Sequence, residues 1–290
     1  MIERMDHAVV AVASTAAAAA PYERLGLRVG APVRHAGLGS ESRVFFVGAR
    51  PDQSFYVELF GIFDPEQARA AGRSVYLDAI ARGGGLTRVM LKVAGLAALV
   101  DGLQRRGVHT PIEEIWMGDR KMADLAILGA IPDMAIDAGL FEPPPDANAF
   151  ARRAAEGRFS HDFPLKRFDH LAAITADLEA STRFWSEALG VTVHGEVRRP
   201  GAIIRQLKMG DGILELIGSD GSPGHVASRP PGLISMLAWE VPDLDEAVAL
   251  ARERGFTPND PGTGVLPGTR TATIPGGELA GVAMQLMQYV

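Results

Sequence analysis

The sequence predicts an α+β fold, and three observations predict it. The chain repeats itself across its middle. Each repeat alternates short apolar strands with one helical run. The composition, 47% apolar and 22% charged over 290 residues, is that of an ordinary globular protein. Four units are expected, paired into two halves of about equal length, each unit running strand, helix, then two or three strands.

The first unit opens on the strand Asp6-His7-Ala-Val-Val-Ala-Val12. An Ala-rich helical run follows and closes on Tyr22-Glu-Arg-Leu-Gly26-Leu-Arg-Val29. Leu-Gly-x-x-Val marks a helix stopped by a glycine and turned into a strand. A later strand carries a central glutamate, Tyr56-Val-Glu58-Leu-Phe-Gly61. The second unit starts at Arg88-Val-Met-Leu-Lys-Val93 and its helix ends at Arg105-Arg-Gly107. Gly83-Gly-Gly85 precedes that strand and is expected to be a connector.

The third unit restates the first. Asp169-His170-Leu-Ala-Ala-Ile-Thr175 is its opening strand, Phe184-Trp-Ser-Glu-Ala-Leu-Gly190 its helix end, and Ile213-Leu-Glu215-Leu-Ile-Gly218 its glutamate strand. The fourth has Met236-Leu-Ala-Trp-Glu-Val241, then a helix capped by Asp243, with Leu244, Val248 and Ala251 on one face and Gly255 at its end. Between the halves, Glu142-Pro-Pro-Pro-Asp146 and the charged stretch to Lys166 are expected to form a linker. The expected domains are residues 1–141, a linker over 142–165, and 166–290.

Composition also excludes functions. Lys plus Arg is 29 against 35 for Asp plus Glu, a net charge of −6. That is the wrong sign for a broad nucleic-acid footprint, which needs clustered cations. Cysteine is absent, which removes disulfides, thiolate zinc sites, iron–sulfur clusters and a cysteine nucleophile. The run Ala8 to Ala20 has the length of a signal-peptide core, but Glu3, Asp6 and His7 stand where positive charge should be. No apolar run reaches the ~18 residues of a spanning helix. A cytoplasmic protein that uses neither membrane nor nucleic acid is expected, a monomer or homodimer acting on a small-molecule substrate or ligand.

The ordered motifs resemble the vicinal oxygen chelate superfamily, which contains glyoxalase I, methylmalonyl-CoA epimerase, extradiol ring-cleaving dioxygenases and bleomycin- and fosfomycin-resistance proteins. The shared pattern is Asp-His on a first strand, Leu-Gly after the first helix, Glu-Leu on a later strand and Val-x-Asp-Leu-Asp before the next helix. It covers most of the chain, with 110–165 matching weakly. The first half also resembles the glyoxalase-like branch, through His35-Ala-Gly-Leu-Gly39-Ser40. The resemblance implies tandem βαβββ modules forming two cup-shaped mixed β-sheets with helices outside, and chemistry inside the cups.

It also implies a divalent metal ion (Mn, Zn, Ni, Fe or Mg) acting as Lewis acid on an enolate-like intermediate. The implied ligands are His170 and Glu215 with Gln285, and in the first half His7 and Glu58. Glu215, His170 and Glu58 are the catalytic candidates, and His35, Arg88 and Met236 the substrate-binding ones. Both ligand sets fall short. Met236 and Arg88 stand where a second His belongs, and Gln285 where a Glu belongs. A thioether is a poor partner for these ions and a guanidinium repels them. The expected activity is therefore of the lyase, isomerase or epimerase type rather than ring cleavage, which needs two His and a carboxylate on iron. Two alternatives stay open: a metal-free ligand-binding module of the bleomycin-resistance kind, and a metal-free enzyme using His and Glu as acid and base. Each His–Glu pair also reads as a buried hydrogen-bonded pair without chemistry.

Overall fold

Each sequence unit folds as strand, helix and three strands. The first comprises β1 (Ile2–Val12), α1 (Thr15–Arg24), β2 (Val33–His35), β3 (Ser40–Val47) and β4 (Phe55–Ile62). The second comprises β5 (Gly85–Val93), α4 (Leu96–Gln104), β6 (Glu113–Met117), β7 (Arg120–Ala130) and β8 (Asp137–Glu142). Between them lies an insertion of two short helices, α2 (Pro65–Ala70) and α3 (Ser74–Ala81). After α5 (Ala149–Ala155) comes the third unit, β9 (Arg167–Ile174), α6 (Leu178–Arg183), β10 (Thr192–Arg199), β11 (Ala202–Met209) and β12 (Gly212–Gly218). The fourth is β13 (Gly232–Glu240), α7 (Leu244–Glu253), β14 (Gly262–Thr263), β15 (Thr269–Ile274) and β16 (Ala283–Tyr289). This computed structural model describes every residue except 132, 133, 223, 225 and 227, and the backbone but not the side chain of 130.

The strands build two curled, mixed, eight-stranded sheets with helices outside, in the orders β2-β3-β4-β1-β5-β8-β7-β6 and β10-β11-β12-β9-β13-β16-β15-β14. In every unit the first strand runs parallel to the last, and the others are antiparallel. The first strands are interior ones. β1 is buried on both faces from Met5 onward, as its nearly unbroken apolar run requires.

Local signals place the helices. Ser14, Asp177 and Asp243 each accept a backbone N–H three residues on, capping α1, α6 and α7. Gly26 and Gly190 follow the first helices of the two halves in left-handed backbone, with φ of 92° and 70°. Trp185 does not lie on a regular α-helix: α6 widens into a π-helical turn at Phe184–Ala188.

Compactness divides the chain differently from its repeat. One unit gathers Met1–Asp6, Arg88–Pro145 and His170–Ile234, and the other His7–Thr87, Asp146–Asp169 and Ser235–Val290. Each core takes side chains from both sequence halves. In the first, Trp185 is fully buried and its indole N–H donates to Met134 O at 3.0 Å. In the second, Tyr22 on α1 is buried and donates to Leu279 O at 3.0 Å. There Phe55 stacks on Phe168 with ring centroids 4.0 Å apart, and both meet the buried Trp239 edge-on at 5.8 and 5.7 Å.

The segment expected to be a linker carries α5 and is anchored by His161. Its Nδ1 accepts the Arg28 N–H at 3.0 Å, so Nε2 carries the proton and donates to Phe46 O at 2.7 Å. Burial, more than any neighbour, holds His161 below the ordinary histidine pKa; the Arg28 charge adds to this, while the Phe46 carbonyl and Asp162 oppose it. The folded state thus binds fewer protons here than the unfolded chain, whose His titrates near ~6.5. This contribution to stability is complete above that pH and falls as pH drops through ~6.5 toward the lower folded value. Urea unfolding at a series of pH values is expected to show that decline in wild type and a smaller one in His161→Gln.

Candidate functional site

Strand register brings the recurring His and Glu of the repeat to equivalent places. His7 lies opposite Tyr56, and Val9 opposite Glu58, on the parallel pair β1 and β4. His170 lies opposite Ile213, and Ala172 opposite Glu215, on β9 and β12. Side chains two residues apart on a strand share a face, so each histidine shares its face with the glutamate of the neighbouring strand. The outcome is the same in both: His7 Nε2 is 3.8 Å from Glu58 Oε2, and His170 Nε2 is 3.8 Å from Glu215 Oε2.

The other two units hold different residues at these register positions. On β13 and β16 they are Met236, opposite Ala283, and Gln285, opposite Ala238, both half-buried. On β5 and β8 the glutamate position is Gly139, opposite Met90. Arg88 takes the histidine position, is buried, and grips Asp137 at the start of β8 with two N–H groups, the Nη2 contact being 3.0 Å. The guanidinium expected to face a substrate is thus neutralised by a carboxylate of its own unit.

The environments of the two His–Glu pairs differ. Side chains of His170 and Glu215 are 7% and 9% exposed, and the amide of buried Gln206 donates to Glu215 Oε1 at 3.0 Å. That bond fixes the carboxylate and leaves Oε2 toward His170. Glu58 is more open, at 18%, while the Tyr56 ring stacks on His7 at 4.2 Å.

His35 sits at the end of β2, in the hairpin that returns through Ser40. Its Nδ1 is 2.9 Å from Ser40 Oγ and its Nε2 is 3.2 Å from Ser42 Oγ. Burial lowers its pKa first of all; Glu58 and Glu41 pull it up and Arg73 pushes it down, so all three charges are close. The turn is held by Gly39, whose carbonyl accepts the N–H groups of Phe63 and Asp64. A Cβ there would stand 2.4 Å from Asp64 O, in a backbone with φ of 62°, so only glycine lets the turn dock against the start of α2.

The Asp of each Asp-His motif faces the other way. Asp6 and Asp169 are buried and ion-paired with the arginine two residues earlier on the same face, Arg4 and Arg167. The motif is therefore Arg-x-Asp-His, with the charge pair on one face of the strand and the histidine on the other. Gln206, Tyr56 and Arg73 were not expected from sequence. Gln206 had a signal: Gly210-Asp211 is a two-residue hairpin turn, and counting outward from the Met209–Gly212 pair puts Gln206 opposite Glu215.

The donor sets do not fit a tightly held zinc ion. Among the described residues, no group of three or more His, Asp or Glu side chains is placed to hold one. Each pair supplies two donors, whereas resident zinc sites use three or four protein ligands. The arrangement instead suits proton transfer, with a carboxylate fixed on one oxygen beside an imidazole.

Gln206→Leu is expected to lower stability by about 1–3 kcal/mol, because the buried Glu215 loses its donor. Adding Glu215→Leu should recover most of that loss, since both partners are then apolar. Urea unfolding of the two single variants and the double variant checks this.

Residues 5–132 match a model described as a glyoxalase-like domain, and residues 169–272 one described as the glyoxalase/bleomycin resistance protein/dioxygenase superfamily. No curated protein matches the sequence significantly. Similar solved structures include methylmalonyl-CoA epimerase from Mycobacterium tuberculosis, at 21% identity over 44% of this chain and 91% of that one, with a TM-score of 0.40. The Streptomyces coelicolor methylmalonyl-CoA epimerase bound to 2-nitronate-propionyl-CoA is 23% identical over 43% of this chain and 99% of that one, with a TM-score of 0.38. A hypothetical protein of Bacillus halodurans is 19% identical over 43% and 94%, with a TM-score of 0.39.

Proposed function

Because this chain belongs to the glyoxalase/bleomycin resistance protein/dioxygenase superfamily in both its halves, we propose that it is an enzyme of the isomerase, epimerase or lyase kind acting on a small oxygenated substrate. The observation that carries this reading is the recurrence of a His–Glu pair at 3.8 Å, at equivalent register, in two units of the chain. Two of the four units carry the pair, and the other two hold different residues at the same register positions.

In this reading Glu215 is the base and its Oε2 takes the proton from a carbon next to a carbonyl. The electron pair of that C–H bond moves into the carbonyl, forming an enolate whose oxygen accepts the N–H of His170. Return of a proton to carbon gives the isomer or epimer; collapse that expels a group on the adjacent carbon gives the lyase outcome. Gln206 keeps the carboxylate aimed throughout. Burial of both side chains strengthens each of these contacts by excluding water. Metal ions enter none of these steps.

Proton exchange tests the proposal directly. The protein, dialysed against chelator, is incubated in D2O with a panel of 2-oxo thioesters, hemithioacetals and 2-hydroxy ketones, and loss of the α-proton signal is followed by NMR. Exchange that persists in chelator is the expected result. Absence of exchange across the panel, with saturable binding of a panel member, would establish a binding module instead. Exchange that vanishes in chelator and returns with Mn, Zn, Ni, Fe or Mg would overturn the metal-free chemistry.

A further inference from the structure

The sheet face that carries His170 and Glu215 also carries a lysine that the proposed chemistry does not use. Register sets four residues of adjacent strands in one row: His170 on β9, Ile213 on β12, Lys208 on β11 and Thr192 on β10. The next row is Ala172, Glu215, Gln206 and Gly195. Residues opposite one another across strands lie on the same face, so Lys208 shares its face with the whole His–Glu pair. On the other face Leu207, Leu214 and Leu216 are fully buried. On this one Ile213 and Ile217, flanking Glu215 on β12, are half-buried and Lys208 is exposed. The face is therefore the open one, with Gln206, Glu215 and His170 buried at its floor and Lys208 at its rim.

The equivalent row of the first half demonstrates that such side chains meet. There His7, Tyr56 and Phe46 take the places of His170, Ile213 and Lys208. The His7 and Tyr56 rings stack at 4.2 Å, and the Tyr56 and Phe46 rings lie 5.0 Å apart. The outer end of that row is closed. Phe46 is buried, with the Phe159 ring at 5.7 Å and the Arg153 guanidinium carbon at 5.0 Å from its centre. In the second half an exposed cation replaces the buried ring, and among the described residues it has no hydrogen-bond or ion-pair partner.

Lys208 and Glu215 are diagonal neighbours on adjacent strands, a separation of roughly 7–8 Å that a long side chain spans. Glu215 Oε1 already accepts from Gln206, so the carboxylate is held where it is. The ammonium rides on a flexible four-carbon stem and acts as a point charge. A molecule with its acidic carbon at Glu215 Oε2 thus has a free cation within reach on one side. A negative group placed there gains a charge-assisted hydrogen bond, whereas a neutral molecule leaves the ammonium in water and gains nothing from it.

We propose that Lys208 is the specificity-determining residue of the His170–Glu215 site. It selects a carbonyl compound that carries a negatively charged group, a carboxylate or a phosphate, and holds that group while the acidic carbon lies at Glu215. This rests on the reading of Glu215 and His170 as the reacting pair.

Saturation-transfer NMR with two matched pairs of probes tests it: 4-oxopentanoate against its methyl ester, and hydroxyacetone phosphate against hydroxyacetone. Wild type is expected to bind at least one anionic probe saturably at millimolar concentration and its neutral counterpart at least tenfold more weakly. Which anion binds tells carboxylate from phosphate. Lys208→Met should weaken the anionic probe at least tenfold and leave the neutral one unchanged, and Lys208→Arg should restore most of the binding. Where the bound probe exchanges its α-protons in D2O, Lys208→Met should raise KM and leave kcat nearly unchanged. No binding of either anion, equal binding of anion and neutral counterpart, or unchanged binding in Lys208→Met would each overturn the proposal. Anion binding that depends on Lys208 but brings no exchange would uphold the specificity residue and count against the proposed activity, so the two failures are separable.

Discussion

Glu215→Gln is expected to lower turnover of a substrate found by the exchange assay by about 10²–10⁴-fold, the range over which a positioned general base acts. The substitution is nearly isosteric. Its amide oxygen can still accept from Gln206, which in the wild type donates to Glu215 Oε1 at 3.0 Å, so the fold and substrate binding should survive. The loss should therefore appear in kcat rather than KM. Glu58→Gln serves as its counterpart in the first half. If both variants keep wild-type kcat, neither pair is the base and the proposed chemistry fails. If only Glu58→Gln loses it, the reaction belongs to the His7 pair.

The second large effect concerns stability. Trp239→Ala should destabilise the protein by about 3–5 kcal/mol, the range for removing a large aromatic side chain from a core. Trp239 is 1% exposed, and three phenylalanines from three strands close on it. Phe45 lies at 6.2 Å, Phe55 at 5.8 Å and Phe168 at 5.7 Å between ring centroids. Phe55 and Phe168 stand at the starts of their strands, β4 and β9, and are themselves stacked at 4.0 Å and 8°. Rings of this size leave a void that neighbouring backbone cannot collapse into, because sheet hydrogen bonds fix it. Trp239→Phe should restore part of the loss. Urea unfolding followed by far-UV circular dichroism measures both.

Much of the fold was legible because the signals are local. Each first strand is an apolar run, α1, α6 and α7 are capped by a side chain within three residues, and the repeat supplies the strand and glutamate signals twice. The glutamate strands could be found because Glu58 and Glu215 each sit between apolar residues in an alternating run. What sequence did not reveal depends on distant partners. The ion-pair partner of Arg88, Asp137, lies on β8, which has Gly139 where the glutamate motif would have flagged the strand. Arg73 is one of many surface-looking arginines until α3 folds toward Phe60. The role of Asp6 and Asp169 was masked by their position next to histidines, although strand alternation puts neighbours on opposite faces. No periodicity could tell which repeat units pack together, since that choice lies in packing between segments far apart in the chain.

That packing constrains how the protein can be made. One compact unit needs residues from Met1–Asp6 through His170–Ile234, and the other needs His7–Thr87 together with Ser235–Val290. Neither core can close on the ribosome before most of the chain has emerged, so the first half waits with its apolar faces uncovered. Such non-local assembly is slow and exposes intermediates to aggregation and chaperones. Two gene fragments split at the Pro143-Pro-Pro145 joint should consequently behave as complementing halves, each poorly soluble alone and productive only when synthesised together.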